Sequence, residues 1–305
     1  MRGLHAEQPF DLVDAQFFFP DGPAAAIVAR ELGLPLTIKS RGADIHYWGK
    51  RPAALRQMLQ AADQAAGLLA VSEALKADMI ALGMPPDRIS VHYTGLDREA
   101  FRPVERGAAR ALVSALPDLN IDPDGPLLVT PGALIPRKGQ ALVIEALHRL
   151  PEAQLALAGG RERTGRGWKR WQRGWASPIA STSSASSTTN CCPTLLCAAD
   201  VLVLPSASEG LANVWVEGLA CGTPIVIPDI GGAREVVKDA TAGRLVERNA
   251  AAIAEGVAEL LADPPTQEQV AANAARFSWG VNAENIVRFW GEVLGVDGDS
   301  PRRCD

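Results

Sequence analysis

Two glutamates eight residues apart, Glu209 and Glu217, sit where a parallel sheet would present a ligand. Residues 201–204 are an apolar run closed by Pro205, the pattern of a buried strand. Residues 211–221 carry apolar side chains at helical spacing (Leu211, Val214, Trp215, Leu219), Gly222 stops the helix, and residues 224–228 read as the next short strand. Glu209 therefore falls at the carboxyl end of a strand and the mouth of a helix, with Glu217 about two turns further along. Open parallel sheets bind ligands at the carboxyl ends of their strands. A helix amino end there offers unpaired N–H groups and positive dipole, which suit phosphate, and a carboxylate accepts hydrogen bonds from sugar hydroxyls. Arg137 and Lys138 lie at a second strand–loop–helix junction, between the apolar residues 127–130 and a helix over 140–150. Two cations at a helix start suit a diphosphate. The plainer alternative makes Glu209 a helix cap and leaves Glu217, Arg137 and Lys138 as solvated charges. The spacing of two glutamates carries nothing alone; the strand–helix–strand frame is what favours a site.

The elements that must hold these residues alternate. A strand starting at Phe10 delivers Asp14 and Gln16, and an Ala-rich helix over 23–32 stops at Gly33. A strand over 36–40 runs into a polar, glycine-punctuated loop over 41–49, followed by a helix over 53–66 and a strand over 68–72. Ser72 and Glu73 open another helix, and residues 88–93 form another strand. Residues 103–126, with Pro117, Pro123 and Pro126, read as a polar interdomain segment. Strands are then expected over 127–130, 154–158 and 243–246, and helices over 250–262, 267–276 and 281–294. Strand–helix alternation of this kind means α/β architecture with doubly wound parallel sheets.

The chain's 305 residues allow about two domains of ~100–200 residues each. An apolar content of 47% with 21% charged residues fits a globular chain, and a net charge of −5 argues against a nucleic-acid partner. No apolar run is long enough to span a bilayer, and the first 20 residues show no signal-peptide pattern. Cys191, Cys192, Cys197, Cys221 and Cys304 lack metal-ligand spacing and fit a reducing, cytoplasmic setting.

The stretch from Glu209 through Glu217 to GLACGTPIVIPDIGGAREVV resembles the nucleotide-sugar signature of the large retaining GT-B glycosyltransferase family with two glutamates separated by seven residues, glycosyl transferases group 1 and family 4-like. The resemblance implies two Rossmann-like domains, the first incomplete: an acceptor-side domain over 1–103, a nucleotide-sugar domain over 104–280, and a terminal crossover helix and tail over 281–305. It implies that Glu209 touches the donor sugar and that Glu217 holds the ribose hydroxyls. Gly210, Leu211, Asn213 and Val214 would lie along the donor, the backbone near Gly210 and Leu211 facing sugar and diphosphate. Lys138-Gly139 matches the family's Lys-Gly element. Ala133 stands where an arginine is usual, so Arg137 supplies the second cation. Gly42 and Asp44 match a His-Gly-x-Asp element in which Arg41 replaces the histidine. By that match Asp44 lines the acceptor side, and His46 is either a stand-in for the missing histidine or a surface-loop residue. Residues 92–101 resemble the family's hinge, with Gly95 and Asp97 retained for turn geometry or ligand contact. Phe277-Ser278-Trp279 resembles a further family element.

The implied reaction moves a sugar from a nucleotide diphosphate sugar to a hydroxyl acceptor with retention, by same-face attack and without a bound metal or other cofactor. The donor is a nucleotide sugar and the acceptor a glycan or a lipid-linked molecule. Peripheral membrane contact, at the inner face of a membrane, stays open. Relative to the family, the strands expected before Phe10 and their glycine-rich loop have no counterpart, which reads as a truncated front.

Residues 161–175 (RERTGRGWKRWQRGW) and 176–190 (ASPIASTSSASSTTN) break the pattern, with no periodicity and extreme local bias. They read as a basic-aromatic patch and Ser/Thr linker or as a stretch translated in a shifted frame, the reading preferred here. Joining the last base of each codon to the first two of the next turns each Gly-Trp and Arg-Trp junction into an N-T-G codon. Trp168-Lys169 then gives Glu, Trp171-Gln172 gives Ala, and Trp175-Ala176 gives Gly. The result, x-L-E-A-L-A-A-x-L-G, is an amphipathic helix with a glycine stop. Beyond it the shifted frame permits G-L-A-D-R-V-H-F-L-G-V-V-N-H-Q-L-L-P. On this reading residues 161–193 are expected to be disordered or misfolded, and the tail from Gly295 to be disordered. The rival functions are a phosphorylase-like enzyme, which would need a pyridoxal lysine that nothing marks, an inactive remnant of the transferase, and an interaction module using the Trp-rich patch.

Overall fold

The computed structural model describes residues 1–116, 119, 121–159, 179–182 and 192–296. Its helices, in chain order, are α1 (Arg2–Glu7), α2 (Asp21–Leu32), α3 (Pro52–Gln64), α4 (Glu73–Ala81), α5 (Arg106–Ser114), α6 (Gln140–Ala146), α7 (Cys192–Ala198), α8 (Asn213–Ala220), α9 (Ala233–Val236), α10 (Ala250–Ala262), α11 (Gln267–Ala272) and α12 (Trp279–Leu294). The strands are β1 (Val13–Ala15), β2 (Leu36–Ser40), β3 (Gly67–Ala70), β4 (Ile89–Val91), β5 (Leu127–Pro131), β6 (Gln154–Ala158), β7 (Ile179–Thr182), β8 (Val201–Val203), β9 (Ile225–Pro228) and β10 (Gly243–Val246). Among the described residues no helix is long and apolar enough to cross a membrane.

The chain divides into two units, one of Met1–Gly95, Ser208–Leu211 and Phe277–Asp305, the other of Leu96–Ala207 and Ala212–Arg276. The first unit holds a parallel sheet ordered β1-β2-β3-β4. Its strands are short, and Met58 of α3, Leu75 and Met79 of α4 and Phe18 in the turn before α2 are all fully buried. Gly33 ends α2 in the left-handed conformation (φ 69°), and Ser72 caps α4 by accepting from the Leu75 amide, both as the sequence signals. Helix α12 belongs to this unit. Its Phe289 ring lies so close to Gly67 that a Cβ there would sit 2.5 Å from the ring. Likewise Gly95 faces the Trp279 ring at 2.2 Å from a built Cβ, and Asp97 accepts from the amides of Glu99 and Ala100, so both hinge residues have structural work.

The second unit holds a parallel sheet ordered β10-β9-β8-β5-β6-β7. β5, first of these strands in the chain, pairs with β6 on one side and β8 on the other. The direction of strand order reverses at that pair, the switch point at which doubly wound sheets bind ligands. One face is filled by Leu128, Leu155, Val201 and Val226 of the strands against Val143, Ile144, Ile253 and Val257 of α6 and α10.

Two differences from expectation stand out. Within 103–126 the chain folds into α5 rather than a linker. Glu105 caps it by accepting from the Gly107 and Ala108 amides, and Arg110 is buried because Ala198 O (2.8 Å), Gly125 O (2.5 Å) and Asp200 (2.8 Å) take up its guanidinium. A charged residue that reads as exposed is internal once it is fully paired. Within 161–193, where no order was expected, Ile179–Thr182 form β7, aligned in parallel with Leu155–Ala158. The other residues of 160–191, and the tail from 297 onward, lie outside the described residues.

Candidate functional site

The loops leaving β5 and β8 meet at the switch point of the second unit. After β5 the chain turns through Gly132 (φ 125°), a short 3-10 turn at Pro136–Lys138, and Gly139 (φ 76°), which opens α6. After β8, Pro205 packs against Gly139 so tightly that a Cβ there would meet the Pro205 carbonyl oxygen at 2.3 Å. The Ala207 amide donates to the Arg137 carbonyl at 2.8 Å, and Arg248 Nε donates to the Pro205 carbonyl at 2.8 Å. Arg137 and Lys138 are thus fixed by their backbone at the carboxyl ends of the central strands. Ser206 Oγ, fully buried in the same loop, has no hydrogen-bond partner among the described residues.

The helix that follows, α8, starts at Asn213 with Ala212 as its N-cap and no side-chain cap, while the Trp215 amide donates to the Ala212 carbonyl at 3.0 Å. Asn213 is exposed, Val214 and Glu217 are half-buried, and Trp215 and Val216 anchor the helix inward. Burial raises the Glu217 carboxyl above the ordinary carboxylate range. Among the described residues its side chain has neither an ion pair nor a hydrogen bond. A half-buried carboxylate without donors is an acceptor awaiting one.

The remaining site residues lie on the first unit. Asp44 is fully buried. Its carboxylate accepts from the amides of Phe18 (2.8 Å), Gly42 (2.9 Å), Arg41 (3.2 Å) and Ile45 (3.2 Å) and from Ser40 Oγ (2.9 Å). With its lone pairs so engaged, Asp44 organises the loop after β2, a role different from the acceptor contact expected of it. The loop continues as a π-helical turn over Asp44–Trp48 rather than an irregular loop. From that turn the His46 ring reaches Ser208 Oγ through Nδ1 (2.7 Å) and Asp78 Oδ2 through Nε2 (2.9 Å). The segment Ser208–Leu211 is held here as well: Ser72 Oγ donates to the Gly210 carbonyl at 3.2 Å, and Gly42 lies against Gly210. Glu209 is half-buried between these anchors, and Gly210 and Leu211 are buried.

Sequence reasoning missed Ser72, Asp78 and Ser208 as partners of this loop, since their pairings span 32 to 162 positions and no local spacing announces them. It also missed a buried pair beneath it. Lys39 Nζ lies 2.8 Å from His92 Nδ1, and His92 Nε2 donates to the Asn282 carbonyl at 2.9 Å. Burial, reinforced by Arg41, lowers the Lys39 pKa to about 8. Among the described residues no group of three His, Cys, Asp or Glu could hold a metal ion.

The model of the family described as glycosyl transferases group 1 matches residues 115–277, and that of glycosyltransferase family 4 matches residues 1–100. The chain belongs to the glycosyl transferases group 1 family. Alpha-maltose-1-phosphate synthase of Mycolicibacterium smegmatis is 30% identical over 83% of this chain and 67% of that relative. The enzyme of the same name from Mycobacterium tuberculosis is 32% identical over 74% and 63%, and D-inositol 3-phosphate glycosyltransferase of Mycobacterium leprae is 31% identical over 69% and 50%. The chain therefore spans between half and two-thirds of the length of these relatives. Among solved structures, sucrose-phosphate synthase from Thermosynechococcus elongatus superposes with a TM-score of 0.81 at 20% identity, covering 96% of this chain and 76% of that one. Anabaena HepE in complex with UDP-glucose gives 0.78 at 21% identity, covering 95% and 81%. These likenesses confirm the α/β fold with two Rossmann-like parallel-sheet units of GT-B type.

Proposed function

We propose that this chain binds a nucleotide diphosphate sugar and transfers its sugar to a hydroxyl acceptor with retention of anomeric configuration. The observation that carries the reading is Glu217: a half-buried carboxylate on the helix after the switch-point strand, its pKa raised by burial and no donor supplied to it by the described residues. The vicinal hydroxyls of a ribose offer two donors and match that need. Arg137 and Lys138 take the diphosphate, and the amino end of α8, which carries no side-chain cap, adds positive dipole. Gly210, Leu211, Asn213 and Val214 line the donor, and Glu209 accepts from hydroxyls of the transferred sugar. In the reaction the bond from the anomeric carbon to the diphosphate oxygen breaks while the acceptor oxygen bonds to that carbon. The acceptor's proton passes to the departing diphosphate oxygen on the same face, and the two cations stabilise the charge that remains on the diphosphate. Asp44 shapes the acceptor-side loop from below. No nucleophile of the protein is assigned, in keeping with same-face attack. The acceptor class is a glycan or a lipid-linked hydroxyl, met on the cytoplasmic side.

The test is release of nucleoside diphosphate from UDP-glucose, ADP-glucose and GDP-mannose by the full chain, with the anomeric configuration of any glycoside read by NMR. Release of the diphosphate that falls at least tenfold in Arg137→Ala and Lys138→Ala supports the reading. An inverted product, or release indifferent to both cations, overturns it.

A second reading concerns the chain's integrity. The strand Ile179–Thr182 lies at positions where the shifted frame permits Arg-Val-His-Phe, beside a family strand in β6. A strand built by the residues of the given frame counts against a frame shift across residues 161–193, so that shift, with an inactive remnant of the transferase as its consequence, rests on the sequence bias of 161–175 and 176–190 alone. Resequencing the DNA across this stretch decides it. A frame corrected by one or two bases there supports the shift, and an unchanged frame refutes it.

A further inference from the structure

The four residues Ser208–Leu211 follow a strand of the second unit yet pack as part of the first. Three attachments hold them. His46 Nδ1 meets Ser208 Oγ at 2.7 Å, Ser72 Oγ donates to the Gly210 carbonyl at 3.2 Å, and Gly42 and Gly210 meet backbone to backbone. Helix α4 backs two of them: Ser72 is its N-cap, and Asp78 within it holds the far side of the His46 ring at 2.9 Å. Glu209 lies between the attached residues.

We propose that His46 is a positioning residue: backed by Asp78, its ring fixes Ser208 and so sets the Glu209 carboxylate where it meets the donor sugar. The inference rests on the proposed role of Glu209. The Asp78 carboxylate can only accept, so the His46 Nε2 carries hydrogen, and in the neutral ring Nδ1 accepts from the Ser208 hydroxyl. If the ring takes a second proton, Nδ1 donates instead and the hydroxyl oxygen accepts. The link is thus indifferent to the charge of His46, which distinguishes a strut from a general base. The π-helical turn serves the same end: it starts at the buried Asp44 and brings a ring from the β2 loop to the Ser208 segment.

A positioning role makes a split prediction that a general loss of structure does not. The parent, His46→Ala, His46→Gln, Ser208→Ala, Asp78→Ala, Asp78→Asn and Glu209→Ala chains are titrated with UDP, ADP and GDP. They are titrated in parallel with UDP-glucose, ADP-glucose and GDP-mannose, and the pair bound tightest by the parent is used for comparison. His46→Ala is expected to weaken the nucleotide sugar about tenfold and leave the bare diphosphate within about twofold. His46→Gln and Asp78→Asn recover most of the loss, because each keeps an acceptor in place. The double variant His46→Ala with Ser208→Ala is no weaker than either single one. Faster amide exchange of residues 208–211 in His46→Ala, read without ligand, supports the same conclusion.

The failures separate. A Glu209→Ala chain that binds sugar donor and bare diphosphate as the parent does, or a parent that binds none of the probes, sinks the sugar-binding reading. A Glu209→Ala chain that loses the sugar donor selectively, beside His46→Ala and Ser208→Ala chains that do not, overturns the positioning role alone. So does unchanged amide exchange at 208–211. Covalent labelling of Ser208 by a fluorophosphonate would make the Ser208–His46–Asp78 trio a nucleophilic relay and likewise overturn it.

Discussion

Gly42 and Gly210 pack backbone against backbone: a Cβ on Gly42 would lie 2.8 Å from the Gly210 nitrogen, and one on Gly210 would lie 3.0 Å from the Arg41 carbonyl oxygen. Gly42 also has φ 105°, a conformation that side chains rarely adopt. The loop after β2 and the segment carrying Glu209 can approach this closely only because both residues lack a side chain.

Gly42→Ala should therefore cost about 1–3 kcal/mol of stability from backbone strain and displacement together. The comparison is thermal unfolding of Gly42→Ala beside Gly33→Ala. A Cβ on Gly33 meets nothing within 4 Å although its φ is 69°, so that variant pays strain alone. Equal losses at the two positions would mean that close packing against Gly210 contributes nothing.

Replacing Asp44 should be severe. Five donors converge on its buried carboxylate, and Asp44→Ala leaves four backbone amides and a hydroxyl without their acceptor. A loss of roughly 3 kcal/mol or more is expected, with Asp44→Asn between it and the parent. Denaturant unfolding checks this, and a loss under about 1 kcal/mol would show the loop to be held by something else.

Glu217 should cost the fold stability at neutral pH. Its folded pKa is raised, so between the unfolded and the folded value the native state holds more protons than the unfolded chain, and stability falls as pH rises through that window. Glu217→Gln should raise Tm at pH 7 and lose that advantage below about pH 4, where the unfolded carboxyl is also protonated. A Tm gain independent of pH would locate the effect in packing instead. A residue that costs stability at neutral pH is the usual trade where function requires it, as the proposed role of Glu217 does.

Lys39 shows the complementary sign. Its folded pKa is lowered to about 8, so the unfolded chain binds the proton more tightly and stability rises with pH from about 8 towards the ordinary lysine value. Unfolding free energies between pH 7.5 and 10 should climb in the parent and stay flatter in Lys39→Met. Parallel curves would mean that the buried amine holds its proton as tightly as the unfolded lysine does.

The strands and their order of appearance were legible because short apolar runs between glycines and prolines mark a parallel sheet. β2, β6 and β10 lie at the residues expected. The capping of α4 by Ser72 and the stop at Gly33 were equally local. What escaped was whatever depends on pairing across the chain. Helix α5 was hidden because Arg110 reads as solvent-exposed until Ala198 and Asp200 are beside it. The π-helical turn was hidden because Asp44 creates it by binding amides as distant as Phe18. Glu209 was nominated from its strand–helix frame, whereas its neighbours on the first unit, His46 through Ser208 and Ser72 through Gly210, could not be, since nothing in a local window links position 46 to 208.

The account turns on whether Glu217 holds the nucleoside of a nucleotide sugar. The direct measurement is calorimetric titration of the full chain and of Glu217→Ala with UDP, ADP and GDP and with UDP-glucose, ADP-glucose and GDP-mannose. The account predicts that one base is preferred and that Glu217→Ala weakens its diphosphate and its sugar donor alike, by about tenfold or more. Binding of the preferred pair with the same affinity in Glu217→Ala, or no binding of any of the six by the parent, would contradict it.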